Sequence, residues 1–381
     1  MKRVVIVPTD PLNTYDLKGT SEVVRRVYNP DNYFEEVVIV SPFENKDFVW
    51  QGYKVYAAPK YVDFKQKLKL INPDFVRVYG SYTSCTFSIF ARLRKYPVIV
   101  SIHDDRDSFI HSSIRYADHI FAVSDLLKNI LINKGVNPSK INVIGNRIDY
   151  DTFKPLKNQN HLDNSTRHNH KTILHIGKKT KQKNLDNVIR ALQYLPENVL
   201  LKAVGVGDDE VYMDIVKELN LIGKVQFIQS IPNNKLNKLY NECDVFCVPS
   251  RNEGFGVVFI EAAAACAKIV TSDKKPMNDI LPNKYKNVFL VKDYESPRAI
   301  GVALNEALSL SRIECREDAL ELRSIHKRKY SFEAVDKKEI MLYSELFTKP
   351  RQTPFILFLM SSIYSFKVKL AKKLNQLNLG I

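Results

Sequence analysis

The chain has 381 residues, of which 45% are hydrophobic and 26% charged, so it has room for about two domains that each bury a core. This composition excludes a largely disordered chain, and the formal net charge of +15 predicts a surface that attracts nucleotide phosphates, anionic lipid or nucleic acid. The five cysteines are scattered, with neither a C-x-x-C pair nor a zinc-like histidine spacing, which favours a reducing compartment. The N-terminal residues lead directly into a strand-like run without a signal-peptide pattern, so a cytoplasmic location is expected.

The first 146 residues alternate between strand-like and helical patterns. Strands are predicted at residues 4–7, 37–40, 75–78, 98–102, 119–123 and 141–144, and helices at 21–28, 64–71, 83–94 and 125–134. Such alternation indicates a mostly parallel sheet covered on both faces, and therefore an α/β fold.

Ligands of such sheets bind outside the carboxyl ends of the strands, where two loops are of interest. Lys18-Gly19-Thr20-Ser21 opens a helix after the first strand, and a plain helix N-cap is the alternative interpretation. Ser101-Ile102-His103-Asp104-Asp105 ends the strand at 98–102 and presents His103.

Residues 157–171 are rich in Asn, His and Lys, as in an exposed interdomain linker. Beyond them, strands are predicted at 172–176, 199–204, 225–228, 244–248, 269–271 and 287–291, and helices at 185–195, 236–242 and 298–308. The loop Gly177–Asn184 between the first of these strands and the first helix carries four lysines. A solvent-exposed loop without a binding role is one interpretation of these lysines.

The most informative stretch runs from Pro249 to Glu261. Gly254 and Gly256 let backbone N–H groups approach a ligand at a helix start, where the macrodipole favours phosphate or a polar sugar. On a helix, Glu253 and Glu261 would be separated by about 12 Å of rise, so one ligand could touch both. That separation suits the two ends of a nucleotide sugar, whereas paired glycosidase carboxylates lie about 5–9.5 Å apart.

This stretch, P-S-x-x-E-G-F-G with seven residues between Glu253 and Glu261, resembles the donor-site signature of retaining GT-B glycosyltransferases, especially glycosyltransferase family 4. Two departures stand out: Ala265-Cys266-Ala267-Lys268 replaces a Cys-Gly-x-Pro turn, and Arg147 replaces a glycine of the segment that closes the first domain. The resemblance implies a GT-B fold, two Rossmann-like βαβ domains facing across a cleft. It divides the chain into domains at 1–155 and 172–330, a linker at 156–171, a helix crossing back to the first domain at 331–347, and a basic tail at 348–381.

The resemblance also implies roles for individual residues. Glu253 would hold sugar hydroxyls and Glu261 the ribose, while Lys178 and Lys183 would stabilise the departing diphosphate. Gly19 and Thr20 would lie beside the pyrophosphate, Ile231 by the base, and His103 near the reacting sugar. Gly254, Phe255 and Gly256 would complete the donor site. The acceptor proton would pass to the leaving phosphate during same-face attack, so no dedicated protein base is needed, and the resemblance implies no metal or cofactor.

The implied function is a hexosyl transfer from a UDP- or GDP-sugar to a hydroxyl of a glycan or lipid-linked acceptor. The sequence of the tail bears on membrane binding. Residues 354–366 are apolar and aromatic, and they are followed by the lysines Lys367, Lys369, Lys372 and Lys373. Thirteen residues are too few to span a bilayer. Residues 354–373 are therefore expected either to bind an anionic membrane surface peripherally or to dock on the first domain.

Three rival functions remain. A nucleic-acid-binding protein would explain the charge, but no helix-turn-helix, zinc-finger or RNP motif is present, so no nucleic-acid partner is expected. A GT-B scaffold that only binds carbohydrate is disfavoured by the presence of both glutamates. A GT-B epimerase or phosphorylase is poorly separated by sequence, because fold does not fix chemistry.

Overall fold

The structure is a computed structural model, and it describes residues 2–80, 82–93, 96–106, 110–156 and 170–348. These residues fall into two compact units, one formed by 2–144 with 338–348 and the other by Gly145–Lys337. Most of the predicted linker lies outside the described residues, and so does segment 354–373, for which membrane binding or docking on the first domain is predicted.

The first unit is built on an eight-stranded sheet with the order β3-β4-β2-β1-β5-β6-β7-β8. All of its pairings are parallel except the hairpin of β3 with β4. The strands are β1 (Arg3–Val7), β2 (Glu36–Ser41), β3 (Phe48–Trp50), β4 (Tyr53–Ala57), β5 (Phe75–Tyr79), β6 (Val98–Ile102), β7 (His119–Ala122) and β8 (Ile141–Val143).

Both faces of the sheet are buried at its central strand β1. Val4 and Ile6 of β1 belong to one core cluster, and their alternating neighbours Val5 and Val7 point to the opposite face, yet all four are fully buried. Near-continuous apolar strands of this kind are typical of parallel sheets covered by helices on both sides. The helices of the unit are α1 (Asn13–Leu17), α2 (Ser21–Tyr28), α3 (Tyr61–Ile71), α4 (Tyr82–Leu93) and α5 (Asp125–Asn133).

A buried ion pair fastens the last described helix, α13 (Phe332–Thr348), to this sheet. Arg77 of β5 is 1% exposed, and its Nη2 lies 2.9 Å from Oε1 of Glu339. The same guanidinium donates to the hydroxyls of Tyr343 at 2.9 Å and Ser101 at 2.5 Å. Because an unpaired buried charge is costly, Arg77 requires α13 to be in place.

The second unit contains a six-stranded parallel sheet with the order β11-β10-β9-β12-β13-β14. Its strands are β9 (Lys171–Ile176), β10 (Val199–Val204), β11 (Val225–Ile228), β12 (Val245–Val248), β13 (Ile269–Ser272) and β14 (Val288–Val291). Its helices are α6 (Leu185–Ala191), α7 (Glu210–Glu218), α8 (Asn233–Glu242), α9 (Val257–Ala264), α10 (Met277–Ile280), α11 (Pro297–Ser309) and α12 (Arg316–Tyr330). The predicted α/β class is thus confirmed in both units.

The units begin and end at different residues from the predicted domains, since the segment from Gly145 to residue 156 packs within the second unit. Ile148 pairs with Ser331 in an isolated bridge, and the main chain at Lys154 donates to Asn237. Arg147, the residue that replaces a glycine, bonds Asp336 at 2.6 Å. Gly145 instead supplies the left-handed backbone of this segment, with φ of +80°.

The turn after α9 also keeps a left-handed residue despite its altered sequence. Cys266 has φ of +56°, and the following amide of Ala267 bonds Ala262 O at 3.0 Å. A non-glycine residue therefore holds the conformation that glycine adopts more readily.

Candidate functional site

The candidate site lies at the carboxyl ends of three neighbouring strands of the second unit. The chain runs from β9 outward through β10 to β11 and then returns to the other side of β9 with β12. The strand order reverses between β9 and β12, and ligands of open α/β sheets bind at such a switch point. The loops that follow these two strands are the lysine-rich loop Gly177–Asn184 and the loop Pro249–Gly256.

Glycines let the loops after β9 and β10 approach each other closely. Gly205 has φ of +148°, and a Cβ added there would lie 1.9 Å from the carbonyl oxygen of Gly177. Only glycine fits that contact, so the two loops form one continuous surface beside β9.

An ion pair joins the loops after β9 and β12. Nζ of Lys183 lies 2.5 Å from Oε1 of Glu253, and the same oxygen accepts from Ser250 Oγ at 2.7 Å. Both members of the pair are largely buried, with side-chain exposures of 15% and 8%. Burial strengthens the attraction between two such charges, so the pair fixes the position of each.

A buried histidine contacts the main chain of Lys183. Burial lowers the pKa of His175 to about 4, so its ring is neutral, and Nε2 lies 3.1 Å from the carbonyl oxygen of Lys183. A neutral ring that donates from Nε2 satisfies this carbonyl.

The start of α9 depends on a left-handed residue at Gly256. Its φ is +88°, and a Cβ there would meet the ring of Phe259 at 2.5 Å. The preceding Phe255 is 4% exposed and packs edge-to-face on Tyr330 with ring centroids 5.3 Å apart. Phe255 therefore has its main chain, rather than its ring, available for the predicted donor contact.

Glu261 lies within α9 and is held by α8. Its Oε2 accepts from the hydroxyl of Tyr240 at 3.0 Å, and its Oε1 lies 3.3 Å from Nδ2 of Asn233. Burial raises the pKa of Glu261, while these two hydrogen bonds oppose that rise. Asn233 directly follows the Ser230–Pro232 loop, in which Ile231 is half-buried.

The predicted lysine pair is placed unequally. Lys178 is exposed, whereas Lys183 is engaged by Glu253. The buried lysine of the loop is Lys179, whose Nζ lies 2.6 Å from Oδ1 of Asp209. Lys179 therefore contributes to folding of the loop, whereas Lys178 and Lys181 are exposed to solvent.

The remaining predicted residues belong to the first unit. Gly19 has φ of +64°, and Thr20 Oγ1 donates to Tyr15 O at 3.3 Å rather than capping α2. His103 is exposed just beyond β6, and its ring stacks on Tyr79 with centroids 6.3 Å apart.

Sequence reasoning missed the partners that hold the predicted residues. These are His175 beneath Lys183, Tyr240 and Asn233 on Glu261, and Arg251 beside the lysine-rich loop. Only Arg251 had a detectable signal, since it is a charged residue inside the glutamate stretch at a position that the motif leaves open.

Asp149-Tyr150-Asp151 has the Asp-x-Asp spacing of some metal sites, but in the structure it belongs to a turn. Oδ1 of Asp149 accepts from the amides of Asp151 and Thr152 at 2.9 and 3.1 Å, which makes it the cap of a turn. Within the described ranges, no group of three or more His, Cys, Asp or Glu side chains is arranged to hold a metal ion. In the same part of the chain, no helix has both the length and the apolar character required to cross a bilayer.

Two family models match most of the chain. The model of Glycosyltransferase Family 4 matches residues 18–152, and that of Glycosyl transferases group 1 matches residues 157–322.

Among curated proteins, the chain is 32% identical over 142 residues to the uncharacterized glycosyltransferase MJ1607 of Methanocaldococcus jannaschii, covering 36% of either chain. It is 22% identical over 341 residues to the GPI3 subunit of phosphatidylinositol N-acetylglucosaminyltransferase of Saccharomyces cerevisiae, covering 77% of this chain and 72% of that protein. The first match thus spans about a third of its relative, and the second most of it.

Among solved structures, HepE of Anabaena in complex with UDP-glucose superimposes with a TM-score of 0.73 at 14% identity. The match covers 91% of this chain and 100% of HepE. At this identity the likeness concerns the fold.

Proposed function

Because the chain belongs to the group 1 glycosyltransferases and has their GT-B fold, we propose that it transfers a hexosyl group, with retention, from a UDP- or GDP-sugar to a hydroxyl of a glycan or lipid-linked acceptor. The observation that carries the proposal is the Lys183–Glu253 ion pair at the switch point of the second sheet. The complex of HepE with UDP-glucose and the name of the yeast phosphatidylinositol N-acetylglucosaminyltransferase subunit support a nucleotide-sugar donor and a lipid-linked acceptor.

The donor diphosphate is assigned to the cationic side of the site. Lys183 and the exposed Lys178 would stabilise the negative charge that grows on the diphosphate as the glycosidic bond breaks. The amides at the start of α9, after Gly254 and Gly256, would present the positive end of a helix to the same group. Electrostatic stabilisation of this kind is commonly the largest catalytic contribution.

The two glutamates are assigned to opposite ends of the donor. Glu253 would accept from sugar hydroxyls, and Glu261, fixed by Tyr240, would accept from ribose hydroxyls. Ile231 would lie by the base, and the imidazole of His103 would contact the transferred sugar. Gly19 and Thr20 would contact the pyrophosphate.

The proposed reaction needs no dedicated protein base or metal. The acceptor hydroxyl attacks the anomeric carbon on the face from which the diphosphate departs, and its proton passes to the leaving phosphate oxygen. The new bond therefore keeps the anomeric configuration of the donor.

A thermal-stabilisation screen of UDP-glucose, UDP-N-acetylglucosamine, UDP-galactose and GDP-mannose tests the donor. One of these sugars should raise the melting temperature, because a ligand that binds only the folded state stabilises it. That sugar should then transfer to an acceptor with an unchanged rate in EDTA. Loss of activity in EDTA that manganese restores would refute metal independence, and release of an epimerised donor would point to the epimerase alternative.

A further inference from the structure

Arg251 joins the two loops of the candidate site to the body of the second unit. Its Nε and Nη2 each lie 2.8 Å from a carboxylate oxygen of Glu295, and Nη1 and Nη2 lie 3.0 and 3.1 Å from the two oxygens of Asp186. Arg251 thus makes two bidentate contacts, which fix the plane and direction of a guanidinium better than single contacts do.

The same residue holds the turn Lys181–Lys183 that leads into the ion pair. Its Nη1 donates to the carbonyl oxygen of Lys181 at 2.5 Å, and its main-chain amide donates to Gln182 O at 2.8 Å. Gln182 returns a bond from Nε2 to Asn252 O at 2.9 Å. Three hydrogen bonds therefore fix the turn against the glutamate loop immediately before Lys183.

Arg251 and Lys183 differ in the number of carboxylates that surround them, and this difference indicates different roles. Two carboxylates, those of Asp186 and Glu295, surround the single guanidinium, so its charge is already compensated. Lys183 has one carboxylate partner, Glu253. Of the two cations, Lys183 is thus the better placed to exchange its carboxylate for a phosphate.

We propose that Arg251 is a positioning residue that sets the ammonium group of Lys183 for the donor diphosphate by fixing the turn Lys181–Lys183. The phosphate half of this inference rests on the proposed function, whereas the fixing of Lys183 does not. Arg251 acts through Lys183 and makes no contact with the donor.

The first experiment needs no ligand. The acylation rate of Lys183 by an amine-reactive reagent is measured by peptide mass spectrometry in the wild type, Arg251→Met and Arg251→Lys. The control is Arg190→Met, which removes an arginine paired with Glu218 at 3.6 Å and not with Arg251's partners Asp186 and Glu295. Exposed Lys178 serves as the internal reference for reagent activity.

Lys183 should react slowly in the wild type and control, and severalfold faster in Arg251→Met. Arg251→Lys should resemble Arg251→Met, because an ammonium group cannot reproduce two bidentate contacts. If Arg251→Met does not fold, Arg251→Lys supplies the comparison. Equal acylation rates of Lys183 in all folded variants would overturn the proposal.

The second experiment compares affinities for UDP and GDP with those for uridine and guanosine. Arg251→Met should lose about tenfold in affinity for the diphosphate that the wild type prefers, the size expected for one charge-assisted contact, with nucleoside affinity unchanged. Equal losses for nucleoside and diphosphate would mean a general structural role and would contradict the inference. A wild-type chain that binds neither nucleotide would instead contradict the proposed function, and the acylation rates would still decide the role of Arg251.

Discussion

At the scale of single residues, the carboxylate of Glu253 is expected to compete with the donor diphosphate for the ammonium group of Lys183. Glu253 neutralises the cation that is proposed to contact the diphosphate, and Ser250 adds a hydrogen bond to the same oxygen. A diphosphate would therefore compete with a carboxylate for the ammonium group. This arrangement separates the consequences of changing either partner.

Glu253→Gln should bind UDP or GDP about tenfold more tightly than the wild type while its turnover falls about tenfold to a hundredfold. The first effect follows because Lys183 loses a charged competitor, and the second because a charge-assisted bond to the sugar, worth about 1.5–3 kcal/mol, is lost. Isothermal titration and a transfer assay measure the two. Weaker diphosphate binding by this variant would show that Glu253 does not compete for Lys183.

Glu261→Gln should weaken donor binding and yet raise the melting temperature at pH 7. Burial raises the pKa of Glu261, so the folded state favours its neutral form, and holding the carboxylate ionised at neutral pH costs stability. The neutral amide of glutamine avoids that cost, and each kcal/mol of stability gained should raise the melting temperature by about 2–4 °C.

The pH dependence of the difference in melting temperature between the wild type and Glu261→Gln tests this account. As the pH falls through the raised pKa of Glu261, the carboxylate of the folded wild type takes up a proton and its burial no longer costs stability. The difference in melting temperature between the wild type and Glu261→Gln should therefore close. The exposed Glu306→Gln is the control and should show no comparable gap. A destabilised Glu261→Gln variant at pH 7 would contradict this account.

At the scale of elements, the entry into α9 depends on one backbone conformation. Gly256→Ala should lose about 1–2 kcal/mol to left-handed strain and more to the contact with Phe259, and the shift of α9 should also weaken UDP or GDP binding. Gly223→Ala is a matched control, because its φ is +85° and nothing lies within 4 Å of its added Cβ. Equal unfolding free energies and nucleotide affinities in the two variants would rule out a special role for the α9 entry.

Most elements of the fold are predictable from the sequence because buried parallel strands are continuous apolar runs. The predicted helix at 21–28 and strands at 98–102, 199–204 and 225–228 have the observed bounds. The hairpin of β3 and β4 was missed although Gln51-Gly52 forms its turn with φ of +49° and +84°. Its strands are short and lie at the sheet edge, where the apolar pattern is weak.

Helix α12 was missed for a different reason. Only Ala319, Leu322 and His326 are buried along its length, so its apolar stripe is too narrow to give a helical period. The partners within the site were hidden in another way: Arg251 and Asp186 are 65 positions apart, and Tyr240 and Glu261 are 21 apart. Contacts of that range are set by sheet order, which local patterns do not specify.

At the scale of the whole molecule, the net charge of +15 and the apolar segment at 354–366 motivate a test of membrane binding. We expect the full chain to sediment with anionic vesicles at low salt and less at high salt, since interfacial binding would combine burial with attraction of lysines to lipid. A chain ending at Phe347 should stay in solution, and so should a variant with Lys367, Lys369, Lys372 and Lys373 changed to Gln. Equal sedimentation of all three would favour a tail that docks on the first unit.

The buried pair of Arg77 and Glu339 has a consequence for the order in which the protein is made. Arg77 leaves the ribosome early, whereas its counter-charge lies 262 positions later, after the whole of Gly145–Lys337. Until α13 emerges, a nascent first unit must leave Arg77 hydrated or bury it unpaired, and breaking such a pair costs about 3–5 kcal/mol. The unit whose synthesis starts first is therefore the one that completes its folding last.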